Sequence, residues 1–391
     1  MDTGTLVDTA GIHSAEEAGH GVACAAKCMD SSAEDPAELP AYLSGKNKGG
    51  LMEMTYTNLG STGLLVSRLC FGTMTFGRSQ WKLGGVDQRL ADEMVNTVID
   101  NGINFFDTAD VYSAGQSEEI LGKALGTKRQ NVVIATKVRG RVGTGHNDAG
   151  LSRRHICEAI DKSLKRLGTD YVDLYQVHGW DALTPLEETM HALGDVVKAG
   201  KVRYIGFSNY AAWQAALSLG ISERLSIARF QSAQMHYSLL CRDIEHEIVP
   251  LCLNTGIGIL PWSPLSGGFL SGKYKKDAEP ASGTRIGDRG MWFPPFDKEL
   301  GFRVVDELRS IGSQLKATPS QLSLAWLLKK PGVTSIIIGA RNMDQLKDNL
   351  KSMSVRLDDQ VFTKLEELTA PKPMYPGWMI SFQGQDRLPK Q

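Results

Sequence analysis

The sequence predicts an α/β fold, a (β/α)8 TIM barrel with an N-terminal β-hairpin. After residue 68, eight short apolar segments rich in β-branched and aromatic residues recur along the chain. Amphipathic helical patterns separate these segments, and most of the connections are short. Regular alternation of strands and helices over about 300 residues is typical of such a barrel.

An open, doubly wound sheet is the competing arrangement. A dinucleotide-binding sheet of that type would place a GxGxxG motif between a strand and the helix that follows it. The chain has "GTGH" at 143–146, which has a different spacing and a different context. The barrel is therefore favoured.

The elements follow in order along the chain. The stretch 55–69 predicts a hairpin, with Gly60 and Gly63 around its turn. Residues 152–167 predict a helix, since apolar residues recur at helical spacing behind Ser152, a suitable N-cap. Residues 275–298 are rich in Gly, Pro and Asp and predict a long functional loop. The eight predicted strands are "LCFGTM" (69–74), "INFFDTA" (103–109), "NVVIATKV" (131–138), "YVDLYQVH" (171–178), "VRYIGFSN" (202–209), "ARFQSAQM" (228–235), "GIGILPWSP" (256–264) and "TSIIIGA" (334–340).

Residues 1–53 differ from the rest of the chain. They contain nine acidic residues and three lysines but no arginine, and they show little periodicity. This composition predicts a disordered extension, or residues foreign to the native protein if Met52 or Met54 is its true start. We expect the barrel to span 54–371 and a tail to span 372–391.

Composition excludes several classes of partner. The net charge of −1 gives no general attraction to nucleic acid or to acidic membranes. Apolar runs such as "SIIIGA" (335–340) are far shorter than the roughly 20 residues that cross a bilayer. Six scattered cysteines without a CxxC pair predict reduced thiols in a cytoplasmic protein. We therefore expect no nucleic-acid or membrane partner.

Polar residues stand at the ends of successive predicted strands. Asp107 ends strand two, with Asp110 and Tyr112 in the following loop, while Lys137 ends strand three and His178 ends strand four. Taken singly, each is more often a helix cap, a solvated charge or a half-buried histidine than a catalyst. In a barrel, however, all of these strand ends meet at one mouth.

The chemistry of this group is coherent. An ammonium beside a tyrosine favours the ionised phenol, whose pKa is otherwise about 10, and brings its proton within use near neutrality. Lys137 would be that cation, Asp107 would hold it, and neutral His178 would donate a hydrogen bond to a substrate oxygen. This is a site for exchanging a proton with an oxygen bonded to carbon. With eight histidines but no HxH or HExxH, we expect no metal.

Several longer motifs resemble those of the aldo-keto reductases. They occur at 104–125, 151–178 and 200–210, and the likeness extends over Thr55–Leu368. Within the family, "QMHYSLL" (234–240), "PWSPLSGGFLSGKY" (261–274) and "GARNMDQLKDN" (339–349) resemble the bacterial and potassium-channel-β-subunit-like branch. The resemblance implies metal-free, NADPH-dependent interconversion of aldehydes or ketones and alcohols, with NADH the less favoured cofactor.

The resemblance also implies roles for individual residues. Asp107, Tyr112, Lys137 and His178 match the catalytic tetrad, with Tyr112 as proton donor. Trp180 and Trp292 are candidates for the substrate wall. The residues that match cofactor contacts are Gly72, Thr73, Met74, Asp107, Ser208, Asn209, Gln234, Trp262, Ser263, Pro264, Leu265, Ser266, Gly267, Lys273, Arg285, Gly339, Arg341, Gln345, Asp348 and Asn349.

Two other interpretations stay open. One is a regulatory subunit that binds the cofactor with little turnover, which the channel-subunit branch allows but the complete tetrad disfavours. The other is a Schiff-base enzyme with Lys137 as nucleophile, which would need a lysine of lowered pKa, whereas Asp107 acts in the opposite direction. The expected partner is a small carbonyl or alcohol substrate; the sequence does not choose between a monomer and a homo-oligomer.

Overall fold

The computed structural model describes residues 44–45, 53–78, 85–290 and 292–384. The predicted extension, 1–53, lies outside these residues except for 44–45 and 53. The strands, in chain order, are β1 (Ser44–Gly45), β2 (Met54–Asn58), β3 (Leu65–Ser67), β4 (Leu69–Gly72), β5 (Phe105–Asp107), β6 (Val133–Val138), β7 (Val172–Val177), β8 (Val202–Ser208), β9 (Phe230–His236), β10 (Gly258–Trp262) and β11 (Ile336–Ile338).

Helices connect the strands and cover the outside of the sheet. They are α1 (Gln88–Asp100), α2 (Gln116–Leu125), α3 (Arg153–Leu167), α4 (Leu186–Lys198), α5 (Ala212–Leu225), α6 (Ile248–Thr255), α7 (Arg285–Arg289), α8 (Lys298–Leu315), α9 (Pro319–Lys329), α10 (Met343–Leu350), α11 (Asp359–Leu368) and α12 (Gly377–Gly384). None of the helices in the described part of the chain is long and apolar enough to cross a membrane.

Eight parallel strands form the barrel. Their order is β10-β9-β8-β7-β6-β5-β4-β11, so neighbours in sequence are neighbours in space. The two edges approach each other at Ile259 of β10, which forms a parallel bridge with Val333 just before β11. Ile259 N donates to Gly332 O at 2.9 Å, and Thr334 N donates to Ile259 O at 2.8 Å. The predicted (β/α)8 barrel is confirmed.

The N-terminal hairpin covers one end of this barrel. Its strands β2 and β3 are antiparallel, as the sequence predicts. Leu59 and Val66 of the hairpin are fully buried and belong to the same cluster as Phe105 and Val133, the first residues of β5 and β6. The hairpin therefore plugs the N-terminal ends of the strands and leaves the opposite end available for a site.

The barrel interior changes from apolar to polar along the strands. Side chains at alternate positions of a strand share one face. On β6, Val133 and Ala135 lie in the interior cluster, and Lys137 comes next on the same face. On β7, Leu174 lies in that cluster and Gln176 follows it. The strands thus carry apolar residues low in the barrel and polar residues at the mouth.

Helix α3 forms as its sequence predicts. Ser152 is its N-cap and accepts a hydrogen bond from His155 N, and Gly168 ends it in the left-handed region at φ 64°. Ile156, Ile160 and Leu167 are buried on its inner face. The predicted long loop, 275–298, contains the short helix α7.

Gly122 lets helices α2 and α3 approach closely. A Cβ atom at this position would lie 2.4 Å from the backbone oxygen of Leu167. We expect Gly122→Ala to lower the midpoint of urea unfolding, because the clash outweighs the gain of about 1 kcal/mol in helix propensity. Gly220→Ala is the matched control, since a Cβ at this helical glycine would meet no neighbouring atom within 4 Å. That control should raise the midpoint; a rise for both variants would contradict the close approach.

Candidate active site

A buried ion pair lies at the centre of the barrel mouth. Lys137 Nζ donates to Asp107 Oδ1 at 2.5 Å and to the backbone oxygen of Thr108 at 2.7 Å. The Lys137 side chain has 0% relative exposure. Strands β5 and β6 pair in parallel, with Asp107 opposite Ala135, which brings the ends of the two strands together. The first predicted contact of the site is therefore present in the fold.

The second oxygen of Asp107 is also satisfied. Gln234 Nε2 donates to Asp107 Oδ2 at 2.7 Å, and Gln176 Nε2 donates to the same atom at 3.2 Å. Both glutamines are buried. A buried charge is tolerated only when hydrogen bonds and an opposite charge surround it, and this carboxylate has both.

Tyr112 lies against the ammonium. Lys137 Nζ donates to Tyr112 Oη at 3.2 Å, and the tyrosine is 8% exposed. The loop after it turns sharply: Ser113 and Ala114 have φ of 50° and 55°. Ser113 Oγ donates to Phe76 O at 2.7 Å, which fixes this turn. The loop thus delivers the phenol to the charged end of the lysine.

The pKa values of this pair follow from burial and charge. Burial raises the pKa of the Tyr112 phenol above its usual value, while the charge of Lys137 opposes that shift without cancelling it. The sequence-based expectation of a lowered phenol pKa accounts for the charge but not for the burial. For Lys137, burial lowers the pKa, but Asp107 and Tyr112 outweigh it, so the pKa is raised and the lysine stays an ammonium near neutrality.

His178 is uncharged at neutral pH. Burial, together with the positive charges of Lys137 and Arg139, lowers the pKa of its imidazole to about 3. Its ring meets the Tyr112 ring edge-to-face, with centroids 5.8 Å apart. A neutral imidazole has one N–H donor, so His178 can donate a hydrogen bond to a neutral oxygen placed beside Tyr112.

A second polar group extends from β8 to β10. Ser208 Oγ donates to Gln234 O at 2.7 Å, and Asn209 Nδ2 donates to His178 O at 3.0 Å. Trp262 Nε1 donates to Asn209 Oδ1 at 3.1 Å. The indole of Trp262 also stacks on His236, with centroids 4.6 Å apart. These contacts fix Asn209 and Trp262 beside the tetrad, where an amide-bearing aromatic ring would find both a flat surface and polar partners.

The loop after β10 forms a tight, internally hydrogen-bonded turn. Ser263 and Ser266 have φ of 53° and 47°, and Gly267 follows at 68°. Ser263 Oγ accepts from Gly267 N at 2.9 Å, and the intervening Pro264 and Leu265 lie within this turn. Gly267 has no space for a side chain, since a Cβ would meet Phe293 O at 2.7 Å. The backbone N–H groups of Ser266 and Gly268 donate within the loop, to Ser263 O at 2.8 Å and to Leu265 O at 2.9 Å.

Three cationic side chains lie close to this loop. Partial burial and the positive charges of Arg341 and Arg285 lower the pKa of Lys273. The Lys273 ammonium also lies close to Gly268, 3.1 Å from where a Cβ would stand. Arg341 Nη1 donates to Asp288 Oδ2 at 3.1 Å, which ties it to helix α7. Positive charge is therefore concentrated around Lys273, with Asp288 balancing part of it at Arg341, and a phosphate-bearing ligand would suit this charge.

The remaining predicted contacts lie at the ends of β4 and β11. Thr73 N donates to Asp107 O at 2.9 Å, which places Gly72, Thr73 and Met74 beside the tetrad. Asn349 Nδ2 donates to Gly339 O at 3.2 Å, and Gln345 Oε1 accepts from Arg341 N at 2.9 Å. Asp348 instead accepts from Thr318 Oγ1 and, at 2.7 Å, from Gln321 Nε2, so its carboxylate holds the start of helix α9.

The two predicted wall residues have aromatic neighbours. The Trp180 ring lies 5.3 Å from the Tyr210 ring and 5.7 Å from the Trp213 ring, all centroid to centroid. The Trp292 ring packs against Phe269 and Tyr274, at 5.5 and 5.6 Å. Trp292 therefore anchors the long loop onto the barrel, whatever part it has in a substrate wall.

Sequence reasoning missed Gln176 and Thr108. Gln176 donates to Asp107, and the backbone oxygen of Thr108 accepts from Lys137. The alternation of β7 contains the signal for Gln176, because it lies two residues before His178 and two after the interior Leu174. The carbonyl of Thr108 gives no sequence signal, since every residue has one.

Comparisons with known proteins agree with this geometry. The model of the aldo/keto reductase family matches residues 68–370. A probable voltage-gated potassium channel subunit beta from Arabidopsis thaliana is 39% identical over 337 residues, which are 83% of this chain and 99% of that protein. The uncharacterized oxidoreductase YrpG of Bacillus subtilis is 38% identical over 326 residues, 81% of this chain and 96% of its own length. The versiconal hemiacetal acetate reductase of Aspergillus parasiticus is 35% identical over 344 residues, 83% and 99% of the two chains.

The buried ion pair predicts a large effect on stability. Lys137→Met leaves the Asp107 carboxylate buried without its cation, and we expect a loss of about 3–5 kcal/mol in the free energy of unfolding. The double variant Asp107→Asn/Lys137→Met should recover part of that loss. Lys201→Met is the control, because it removes an exposed pair with Asp161 and should cost at most about 1 kcal/mol. Equal losses for Lys137→Met and Lys201→Met in chemical unfolding would contradict this account.

Proposed function

The chain belongs to the aldo/keto reductase family, whose members carry out carbonyl reduction, and we propose that it is an NADPH-dependent reductase of aldehydes or ketones in which Tyr112 donates the proton. The observation that carries the proposal is the contact of Tyr112 Oη with the buried ammonium of Lys137 at 3.2 Å. The oxidoreductase and reductase names of two similar proteins point to the same chemistry. The substrate itself is a small carbonyl compound or the corresponding alcohol.

The proton step follows from the electrostatics of the mouth. A carbonyl oxygen that gains negative charge needs a proton donor and a hydrogen-bond donor beside it. Tyr112 supplies the proton, and the phenolate that it leaves is stabilised by the ammonium of Lys137. His178 remains neutral and donates a hydrogen bond that orients the carbonyl. Asp107, bonded by Gln176 and Gln234, keeps the ammonium in place.

The cofactor side of the site fits a nicotinamide dinucleotide. When bound, the reduced nicotinamide supplies the hydride for the carbonyl carbon. Ser208, Asn209 and Gln234 carry the kinds of donor and acceptor that a carboxamide needs, and would exchange some of their present protein bonds for it. Trp262, which bonds Asn209, offers a face for the ring. The turn at 263–267 and the cations Lys273 and Arg285 suit a pyrophosphate. Arg341 would bind an adenosine 2′-phosphate, and this role would favour NADPH over NADH.

A cofactor-binding subunit with little turnover is the second candidate. It is favoured by the similar protein of Arabidopsis thaliana, which is named a probable potassium channel subunit. The presence of all four tetrad side chains in one buried cluster favours the reductase. A Schiff-base mechanism is disfavoured, since the raised pKa of Lys137 keeps its amine protonated.

The first test is reduction of a panel of aldehydes and ketones by the full chain with NADPH, followed by loss of nicotinamide absorbance. We expect Tyr112→Phe to lower kcat at least about 100-fold, the usual contribution of a general acid. NADPH binding, measured by calorimetry, should be retained, because the phenol is placed against the substrate and not the phosphates. The exposed Tyr375→Phe variant is the matched control and should behave like the wild type.

Three other outcomes overturn parts of the proposal. Tight NADPH binding without turnover of any carbonyl would favour the regulatory subunit. Absence of NADPH binding would contradict the cofactor assignment. A covalent adduct trapped by borohydride at Lys137 would instead support the Schiff-base mechanism.

Cofactor preference gives a second test. A hydrogen bond to a charged group contributes about 1.5–3 kcal/mol, so Arg341→Gln should weaken NADPH binding by about 10- to 100-fold while NADH binding changes little. Arg224→Gln is the control, because Arg224 forms an exposed pair with Glu187 on the barrel surface. Equal affinity of the wild type for NADPH and NADH would contradict the role of Arg341.

A further inference from the structure

Asp110 is a buried carboxyl that the mechanism above does not use. It lies two residues before Tyr112, in the loop that delivers the phenol, and it is 2% exposed. Within the described part of the chain, neither of its carboxyl oxygens has a hydrogen-bond partner. The neighbouring Val111 N–H offers only partial compensation. A buried carboxyl in this state is costly unless it is uncharged.

The neighbours of Asp110 do not neutralise it. The carboxylate of Glu118 on α2 is fully buried and is already bound on both oxygens, by Thr136 Oγ1 at 2.5 Å and by Arg166 Nε at 2.6 Å. Arg166 also donates from Nη2 to Ser163 Oγ at 3.3 Å, and no hydrogen bond joins its guanidinium to the Asp110 carboxyl. Two buried carboxyls thus share one arginine, and Asp110 is the one without a direct contact.

Charged and titratable groups face Asp110 from every element around it. They are Tyr112 in its own loop, Glu118 on α2, Lys137 on β6, Asp148 in the loop that follows β6, Lys162 and Arg166 on α3, and Tyr175 on β7. Burial is the largest influence on the Asp110 carboxyl, and with the charge of Glu118 it raises the pKa to about 8 against the opposing charges of Arg166 and Lys137. Asp110 is therefore protonated at neutral pH.

A small pocket connects Asp110 with the outside. Its volume is about 200 Å³, and its wall includes Val142, Asp148, Lys162 and Arg166 besides Asp110. It lies between the loop after β6 and helix α3, and none of Asp107, Tyr112, Lys137 and His178 lines it. The carboxyl oxygens themselves are buried, so loss of the proton in alkaline solution requires a small opening of the wall between the carboxyl and this pocket.

We propose that Asp110 is a positioning residue for Tyr112 and that Asp110 must be uncharged for Tyr112 to donate its proton efficiently. Ionisation of Asp110 in alkaline solution then slows the reduction. This rests on the proposed function of Tyr112. A negative charge at Asp110 raises the pKa of the Tyr112 phenol and so makes it a weaker acid. It also competes with the forming phenolate for the ammonium of Lys137. The proton that leaves Asp110 goes to water in the pocket, and no other bond changes.

The test compares reduction rates of the wild type and Asp110→Asn from about pH 6 to 9.5, with saturating NADPH and a carbonyl that the wild type turns over. Asparagine has the shape of the protonated acid but cannot ionise. A change of about one unit in the pKa of a general acid alters the rate of its proton transfer by roughly threefold. For a rise of that size at Tyr112 when Asp110 ionises, we expect the ratio of kcat for the variant over the wild type to rise about threefold above about pH 8. Glu119→Gln is the matched control, an exposed carboxyl in the first turn of α2.

The two outcomes are distinct. A wild-type decline near pH 8 that Asp110→Asn removes and Glu119→Gln keeps supports the proposal. A ratio that stays constant across the pH range overturns it, because a purely structural role would change the rate equally at every pH. If Asp110→Asn folds poorly, Asp110→Leu provides the same comparison with a side chain of similar shape and no polar atom.

A second measurement does not depend on turnover. An unfolded aspartate ionises near 3.8, whereas the buried carboxyl keeps its proton to about 8. Between these values the folded state binds one more proton, so the folded-to-unfolded ratio of the wild type falls about tenfold per pH unit relative to Asp110→Asn. Constant relative stability would overturn the proposal even if the enzyme is active. The expected linkage without any turnover would keep Asp110 neutral and would instead contradict the reductase function.

Discussion

The structure of the mouth depends on burying one ammonium and one carboxylate together. Removing both ions from water costs several kcal/mol each, and their attraction offsets this only with close contact and full hydrogen bonding. Lys137 Nζ and Asp107 Oδ1 lie 2.5 Å apart. Side-chain amides from β7 and β9 complete the hydrogen bonding of the carboxylate. Four barrel strands must therefore keep a fixed register, because a shift of one residue would turn these groups to the opposite face. The apolar layers beneath, plugged by the hairpin, provide that rigidity.

The pair also explains the state of its neighbours. The ammonium repels a proton on His178 and attracts the negative charge that forms on Tyr112. One buried cation thus keeps the imidazole neutral and supports the phenolate. The loop that carries Tyr112 lies within the electrostatic field of the Lys137 ammonium. The backbone conformation at Ser113 and Ala114 sets the distance of the phenol from Lys137. Position and electrostatics are consequently two results of one arrangement.

The barrel can be predicted from local rules, and the strand ends bring Asp107, Lys137 and His178 to its mouth, while their assignment with Tyr112 to a tetrad stays a prediction that the motif resemblance implies. Strand alternation places Asp107 and Lys137 on the interior face, and parallel strands bring their ends together. The partners of individual side chains depend instead on tertiary contacts. Asp348 looks like a cofactor contact in its motif, yet Thr318 and Gln321 from another helix occupy its carboxylate. Likewise, only packing shows that Trp292 holds the long loop and that burial outweighs the lysine charge at Tyr112.

Asp107 and Asp110 show how far local sequence falls short of chemistry. The two residues are three positions apart in one short segment, and the sequence does not show which groups surround each carboxyl. At the end of its strand, Asp107 contacts an ammonium and two side-chain amides. In the loop, Asp110 lies near Arg166, whose Nε donates to Glu118 instead. Asp107 therefore contacts a cation directly, whereas burial raises the pKa of Asp110 and keeps it protonated. Two carboxyls three residues apart thus have opposite surroundings, since one is ion-paired and the other has no hydrogen-bond partner for its carboxyl oxygens among the described residues.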